Sequence, residues 1–438
     1  MTTTSIGVQE LGKRIGEKAK ADPRHRFWGL YTHVWKLDVL GEAYRLAKKN
    51  NGAPGVDGQT FSQIEAEGVE VLLDALSREL REKTYRPLPC RQVTIPKDGG
   101  KGRGLKIPAI RDRVVEGAVR LILEPIFEAD FQEGSYGYRP NRSAHQALER
   151  VRVGLIKGLR KVIDLDLRSY FDSVRHDLLL SKMAKRIRDK DLLWLCKGIL
   201  KSGGKRGLPQ GSVISVLLSN IYLHYVLDLW FSKVVQPRMR GEAYLIRYLD
   251  DFVMCFQYRS DAESVHRGLG NRLEKFGLQL EPSKTKMVEF GRFAARDSKR
   301  HGGKLKTVTF LGFTHFCTRN RAENFTVGRK TDKARYARCL AKVARVMAIV
   351  RHRRLAEQAM EINQILQGHY AYFGMGGNLR TLHRFHRTCE RWWRRMLSSR
   401  SQRGTVTWEK FWKIKQTFPL RRPRLYVPYS RMKSLAVL

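Results

Sequence analysis

The alternation of polar and apolar residues along this 438-residue chain changes period twice. In the first third, apolar residues recur every three or four positions. Val69, Leu72, Leu73, Leu76 and Leu80 form one stripe, Val115, Ala118, Val119 and Ile122 a second, and Ala144, Ala147, Leu148, Val151 and Leu155 a third. That spacing predicts amphipathic helices. Between them Asn51–Thr60 gathers Gly, Pro, Asn and Asp into a structured loop. The β-prone VTIP (Val93–Pro96) runs into the turn-rich KDGGKGRG (Lys97–Gly104), which predicts a basic hairpin. The middle third is strand-like. KVIDLD (Lys161–Asp166) is a short apolar strand ending in a carboxylate, and AYLIRYLDDFVMCF (Ala243–Phe256) is two β-prone runs pinched at Asp250–Asp251. VTFLGF (Val308–Phe313) predicts one further strand. From about Arg329 the helical period returns, in Ala337, Leu340, Ala344 and Met347 and again in Ile362, Ile365, Leu366 and Tyr370. Helices interleaved with strands predict an α+β chain built on an antiparallel sheet.

Charge narrows the choice of partner. Lys and Arg number 84 against 42 Asp and Glu, a net charge of +42. So basic a chain repels itself, and a polyanion relieves that repulsion. A membrane is the weaker choice, since no run of about 18 apolar residues is present. The N-terminus lacks the apolar stretch of a secretory signal, which points to the cytoplasm. The six cysteines are scattered with no C-x-x-C pair, so neither a zinc module nor a disulfide framework is expected. Between Arg319 and Leu438 there are 28 Lys and Arg against 6 Asp and Glu, interleaved with Trp392, Trp393, Trp408 and Trp412. Basic runs with aromatics among them are what a nucleic-acid surface requires. A basic structural protein would share this composition, so the decision falls to the motifs.

Phosphoryl transfer needs its developing charge neutralised, and two divalent ions about 4 Å apart, held by carboxylates, supply that. Asp166 at a strand end and Asp250–Asp251 at a hairpin tip are placed to hold them if the strands are neighbours. Tyr248–Asp251 (YLDD) resembles the Y-x-D-D motif of reverse transcriptases. Other blocks of that family stand around it in order: Asp166–Asp172 (DLRSYFD), Gly207–Leu223 (GLPQGSVISVLLSNIYL), Gly277–Lys286 (GLQLEPSKTK) and Phe310–Phe313 (FLGF). Within the family the resemblance is to proteins encoded by bacterial group II introns. It rests on Gly52–Gly58 (GAPGVDG), Ile107–Val119 (IPAIRDRVVEGAV), Gly134–Leu148 (GSYGYRPNRSAHQAL) and Ser401–Phe411 (SQRGTVTWEKF). It covers roughly residues 35–430.

The resemblance implies a right-hand polymerase with a helical N-terminal extension. Residues 1–95 would be that extension and the start of the fingers, 96–160 the fingers, 161–320 a palm with an antiparallel sheet, 321–398 a helical thumb, and 399–438 a basic nucleic-acid-binding segment. Asp166, Asp250 and Asp251 would be catalytic and, with the carbonyl of Leu167, would hold two Mg²⁺ ions, Mn²⁺ being a possible substitute. Lys97, Arg103, Phe171 and Gln210 would meet the nucleotide, Phe171 crowding a ribose 2′-OH and Gln210 lying against the nascent base pair. Phe310, Leu311, Gly312 and Phe313 would grip the primer, and Lys284 or Lys286 would protonate the leaving pyrophosphate. The expected partners are an RNA template, a DNA primer, deoxynucleotides and intron RNA, the chain acting as monomer or homodimer in a bacterial cytoplasm. Two other readings share these motifs: a host-serving relative used in DNA repair or defence, and an RNA-binding splicing factor with an inactive polymerase. Three departures stand out. The finger loop reads RGLKIP (Arg103–Pro108), where relatives have Pro and Gly at Gly104 and Lys106. Leu249 fills a place usually held by Ala, and its extra carbons would pack on the primer end or press on the turn. No endonuclease module with a Cys pair and His-Asn-His follows Tyr429, so DNA nicking is not expected.

Overall fold

The computed structural model describes residues 6–96, 102–291, 306–320, 322–401 and 404–435. Its N-terminal helices, Ile6–Ala21, Tyr31–Val34 and Leu37–Asn50, lie around the helix Ile110–Glu128. That helix is hydrophobic on more than one side: Val114, Val115, Ala118, Val119, Ile122, Leu123 and Ile126 are all buried. A helix covered on all sides is a core helix, which the single stripe in the sequence understates. Strands β1 (Arg91–Pro96) and β2 (Gly102–Ile107) pair antiparallel as the basic hairpin expected there.

The centre is a four-stranded antiparallel sheet in the order β4-β5-β3-β6, from β3 (Lys161–Asp166), β4 (Ala243–Tyr248), β5 (Asp251–Phe256) and β6 (Lys286–Glu289). Because side chains alternate along a strand, it separates two cores. Ile163, Leu165, Phe252, Met254 and Phe256 face the core shared with the N-terminal helices. Val162, Ile246, Val253, Cys255 and Val288 face a second core. The second core is completed by a three-stranded sheet and by the C-terminal helices Lys333–Ile349, Leu355–Phe373 and Leu379–Ser398. The antiparallel α+β reading holds.

Two details differ from expectation. Val308–Phe313 is not one strand: β7 (Val308–Phe310) turns at Leu311 and Gly312, both with positive φ (+48° and +76°), into β8 (Phe313–Arg319). Two left-handed residues in succession make the tight turn that fits antiparallel strands. Strand β8 then pairs with β9 (Phe325–Thr331), so this sheet runs across residue 320 and helical structure resumes at Lys333. Of the tryptophans in the basic C-terminal runs, Trp393 is a packing one. It is fully buried, donates its indole N–H to Gln358 Oε1 at 2.9 Å, and meets Phe411 edge-on.

Candidate active site

Strand β3 pairs with β5 in a register that sets Asp166 directly opposite Asp251. The same register in the β4–β5 hairpin sets Tyr248 opposite Asp251, so the turn is Leu249–Asp250 and Asp251 is the first strand residue. The hairpin therefore closes one residue earlier than the sequence implied. Asp166, Asp251 and, two residues back along β3, Asp164 lie on the face toward the C-terminal helices. The charge is crowded. Burial, then the charges of Asp164, Asp250 and Asp166, push Asp251 up to about 7, with Arg335 acting in the other direction. Burial, with Asp166 adding to it against Lys286, pushes Asp164 up to about 6. Lys284 pairs directly with Asp166, and that bond raises the lysine's own pKa. Carboxylates held this close either take up a proton or draw positive charge between them.

Among the described residues, no three or more His, Cys, Asp or Glu side chains form a group that could by itself hold a metal ion. A site that completes its octahedron with substrate oxygens and water needs only one or two carboxylates per ion, so the donor set fits a cation shared with substrate.

The loop after β3 meets the Gly207–Gly211 turn. Leu208 N–H donates to the Phe171 carbonyl at 2.6 Å, and Gly207 N–H donates to Val174 O at 2.9 Å. A side chain at Gly207 would stand 2.7 Å from the Phe171 carbonyl oxygen, which makes glycine obligatory at that close approach. Phe171 itself is half-buried, edge-on to Tyr170. The Gln210 carbonyl accepts Lys106 N–H at 2.8 Å, which brings β2 of the basic hairpin onto this turn. Phe171 and Gln210 are thus brought together. Lys97 lies outside the described residues. Arg103 stands opposite Ile95 in the hairpin, and its side chain is outside them. Leu167 is buried next to Asp166, bridged to Leu280.

On the other flank, a cavity of about 400 Å³ opens between Asp251, the Leu311–Gly312 turn and the helices bearing Arg335, Lys342, His369 and Tyr372. Tyr372 Oη donates to Leu311 O at 2.9 Å. Phe310 and Phe313 are core residues, so of the four expected primer-grip positions only the turn pair lines the cavity. Lys286, opposite Asp164 in the register, stands further from the carboxylate tip than Lys284.

Several residues at the site went unread in the sequence. Asp164 is one. Glu116 is another: fully buried on Ile110–Glu128, its Oε2 accepts the Ser212 hydroxyl and Val213 N–H, both at 2.8 Å, and so fixes the turn that bears Gln210. Arg247 is a third, wholly buried on β4 below the hairpin turn. None of the three stands out by residue type alone, since each acquires its role from segments that only the fold brings beside it. Leu249 is 8% exposed and lies against Gly137.

Residues 95–315 match the family reverse transcriptase (RNA-dependent DNA polymerase). Protein YkfC of Escherichia coli (strain K12) is 36% identical over 323 residues, which cover 64% of this chain and 84% of that protein. The group II intron-encoded protein LtrA of Lactococcus lactis subsp. cremoris is 32% identical over 287 residues, 61% of this chain and 43% of that one. The chain thus spans less than half of LtrA's length. Among solved structures, telomerase from Candida albicans superimposes with a TM-score of 0.47 at 12% identity, over 80% of this chain and 61% of that one, too distant a likeness to build on. No described helix is long and apolar enough to cross a membrane. With half of its length inside the family's domain and a relative matched over most of that relative's length, the chain belongs to the reverse transcriptase family, as an RNA-directed DNA polymerase of the group II intron type.

Proposed function

We propose that Asp166, Asp250 and Asp251 are the catalytic carboxylates of this polymerase, that they hold two Mg²⁺ ions, and that the chain is arranged as fingers, palm and thumb around them. The register that opposes Asp166 to Asp251 carries this reading, together with the crowding that raises Asp251. When bound, the ions supply charge for the attacking 3′-oxygen and the leaving pyrophosphate. The protein's own groups do the rest. Leu167 offers a backbone carbonyl beside Asp166, and Mn²⁺ suits the same oxygen donors. Phe171 limits space at the ribose 2′ position, and Gln210, anchored through its carbonyl to β2, lies against the new base pair. Lys97 and Arg103 on the basic hairpin bind the triphosphate, as Arg and Lys suit phosphate oxygens. Lys284, whose pairing with Asp166 keeps it protonated, is better placed than Lys286 to give a proton to pyrophosphate. The Leu311–Gly312 turn, flanked by Phe310 and Phe313, holds the primer end over the cavity beside Asp251.

RNA template, DNA primer and deoxynucleotides are the substrates. Intron RNA is a further partner, with splicing assistance as a second activity. This is supported by the likeness to LtrA and to Nuclear intron maturase 1 of Arabidopsis thaliana, 34% identical over 103 residues, and by the net +22 after residue 318.

The test is Asp166→Asn and Asp250→Asn. Each removes a hard ligand while leaving the basic surface as it is, so primer extension should fall more than about a hundredfold with RNA binding retained. Extension above about a hundredth of wild type in either variant would remove that residue from the site.

A further inference from the structure

The turn that presents Asp250 and Asp251 begins at Leu249, whose φ is +58°. L-residues adopt that region rarely, and they hold it only where their surroundings over-determine it. The surroundings here centre on Arg247, which is 0% exposed. All five of its N–H donors are used. Nε and Nη2 donate to the two carboxylate oxygens of Asp228 at 2.8 and 2.6 Å. Nη2 also donates to Ser135 Oγ at 2.7 Å, and Nη1 to Asn220 Oδ1 at 3.0 Å. The fifth bond, from Nη1, goes to the carbonyl of Leu249 at 3.2 Å. The backbone of Arg247 is fixed as well: its N–H donates to Gly134 O and its carbonyl accepts Tyr136 N–H, both at 2.8 Å. Asn220 Nδ2 closes the ring by donating to Gly137 O at 2.8 Å. A β-carbon on Gly137 would stand 2.5 Å from Leu249 N, so that loop lies directly on the turn.

A buried ion pair alone is weak evidence of function, because an apolar pair of similar volume often serves stability as well. The bond to a turn carbonyl is different. It acts on the hairpin tip, where a small displacement changes the direction of two carboxylates. We propose that Arg247, oriented by Asp228, Asn220 and Ser135, is a positioning residue that fixes the Leu249–Asp250 turn and so aims Asp250 and Asp251 at divalent cations. This rests on the metal-site reading above. Groups that orient ligands in this way change metal affinity about ten- to a hundredfold when removed.

The test uses the full chain with a dideoxy-terminated primer–template and nucleotide, titrated with Mn²⁺ and followed by the EPR signal of free Mn²⁺. The variant is the pair Arg247→Met with Asp228→Leu, which leaves no unpaired buried charge. The clamp predicts a folded protein with Mn²⁺ half-saturation raised about tenfold or more, and a lower kcat with a nearly unchanged KM for nucleotide. A folded variant with wild-type half-saturation overturns the proposal and leaves the pair a structural one. Should the double variant not fold, Ser135→Ala deletes one hydroxyl and one bond to Arg247. Half-saturation at least about threefold higher is then expected, and an unchanged value overturns the proposal. Asp250→Asn separates this from the underlying reading. Mn²⁺ binding intact in Asp250→Asn removes the metal site, whereas binding lost there but intact in the Arg247 and Ser135 variants removes only the clamp.

Discussion

At the scale of single residues, what matters is which part of a side chain is held and which part is left open. Phe171 is held by its backbone, since its carbonyl accepts from Leu208, while its ring is only half covered. A ring anchored at its base and open at its edge can bar a substituent from the space beside it. Phe171→Ala should therefore raise the ratio of ribonucleotide to deoxynucleotide incorporation. One steric contact in a pocket is worth about ten- to two-hundredfold in discrimination, so a change of at least about tenfold in the ratio of kcat/KM values is expected. Single-nucleotide insertion on an RNA template measures it, and an unaltered ratio would return Phe171 to a packing role. Phe171 came into view only through the resemblance of Asp166–Asp172 to the family's block, and residue type alone said nothing of it. Residue type likewise gave no sign that Asp164 would share the carboxylate face, because an Asp inside an apolar run reads as a strand's exposed edge until the neighbouring strand is known.

Among the elements, the helix Ile110–Glu128 does more than fill the core. Its first two turns carry three buried charged side chains, each tied to a different segment. Asp112 accepts the Tyr85 hydroxyl at 2.6 Å and Leu88 N–H at 3.0 Å. Arg113 donates to Pro108 O at 2.9 Å, Gly52 O at 3.1 Å and Ala53 O, which explains why the Gly52–Gly58 loop and this helix occur together as motifs. Glu116 holds the Gln210 turn. Burial, with a smaller push from Asp112 against Arg113, raises Glu116 to about 7 from the 4.5 of a free glutamate. Its folded-state pKa is raised, so its contribution to stability is fully present below about pH 4.5 and is lost as pH rises through about 7. Because both turn bonds go to one oxygen, Gln at 116 can keep them without a proton to lose. Glu116→Gln should accordingly gain on wild type between pH 5 and pH 8, on the order of 2–3 kcal/mol, read from urea midpoints at the two values. A stability difference that does not vary with pH would show that Glu116 does not titrate in this window. The strands themselves were legible, since β3, β4 and β5 each carry a clean β-prone run. The β7–β8 turn was not, because Leu–Gly lacks the Asn or Asp that usually marks one, and its geometry shows only in the positive φ of Leu311. The Arg247 cluster was illegible for another reason: Asn220 and Asp228 lie on the helical segment ahead of β4, Ser135 stands 112 residues before Arg247, and only the fold makes them neighbours.

Over the whole molecule, one sheet joins two cores, and the basic C-terminal segment belongs to the second of them. Phe411, Leu420, Val427 and Met432 are buried there, so removing the segment would uncover the core as well as remove charge. The charge must be tested separately from the packing. Lys410, Lys413, Arg421 and Arg422 are exposed, and Trp408 and Trp412, 52% and 60% exposed, share a face of the helix Trp408–Thr417 at a spacing of four. Arg394 lies over the Trp408 ring at 4.5 Å, which extends the same surface toward the preceding helix. Aromatic faces beside mobile cations suit a nucleic-acid backbone and its bases, whereas a merely solvated face has no need of exposed Trp. Each phosphate that a Lys or Arg neutralises releases condensed counterions, so the logarithm of affinity falls with the logarithm of salt by about 0.7 to 0.9 per contact. Replacing Lys410, Lys413, Arg421 and Arg422 together by Gln leaves Phe411 and Leu420 in place and should keep the fold. Binding to a primer–template should weaken, and the salt slope should become shallower by about 0.7 to 0.9 for every one of the four that touches phosphate, or about 2.8 to 3.6 if all do. Filter binding across a series of KCl concentrations gives that slope directly. If the quadruple variant kept the wild-type slope, the exposed charge of this segment would be solvated surface, and the protein's hold on nucleic acid would have to lie in the cleft beside Asp251, where Arg335 and Lys342 stand.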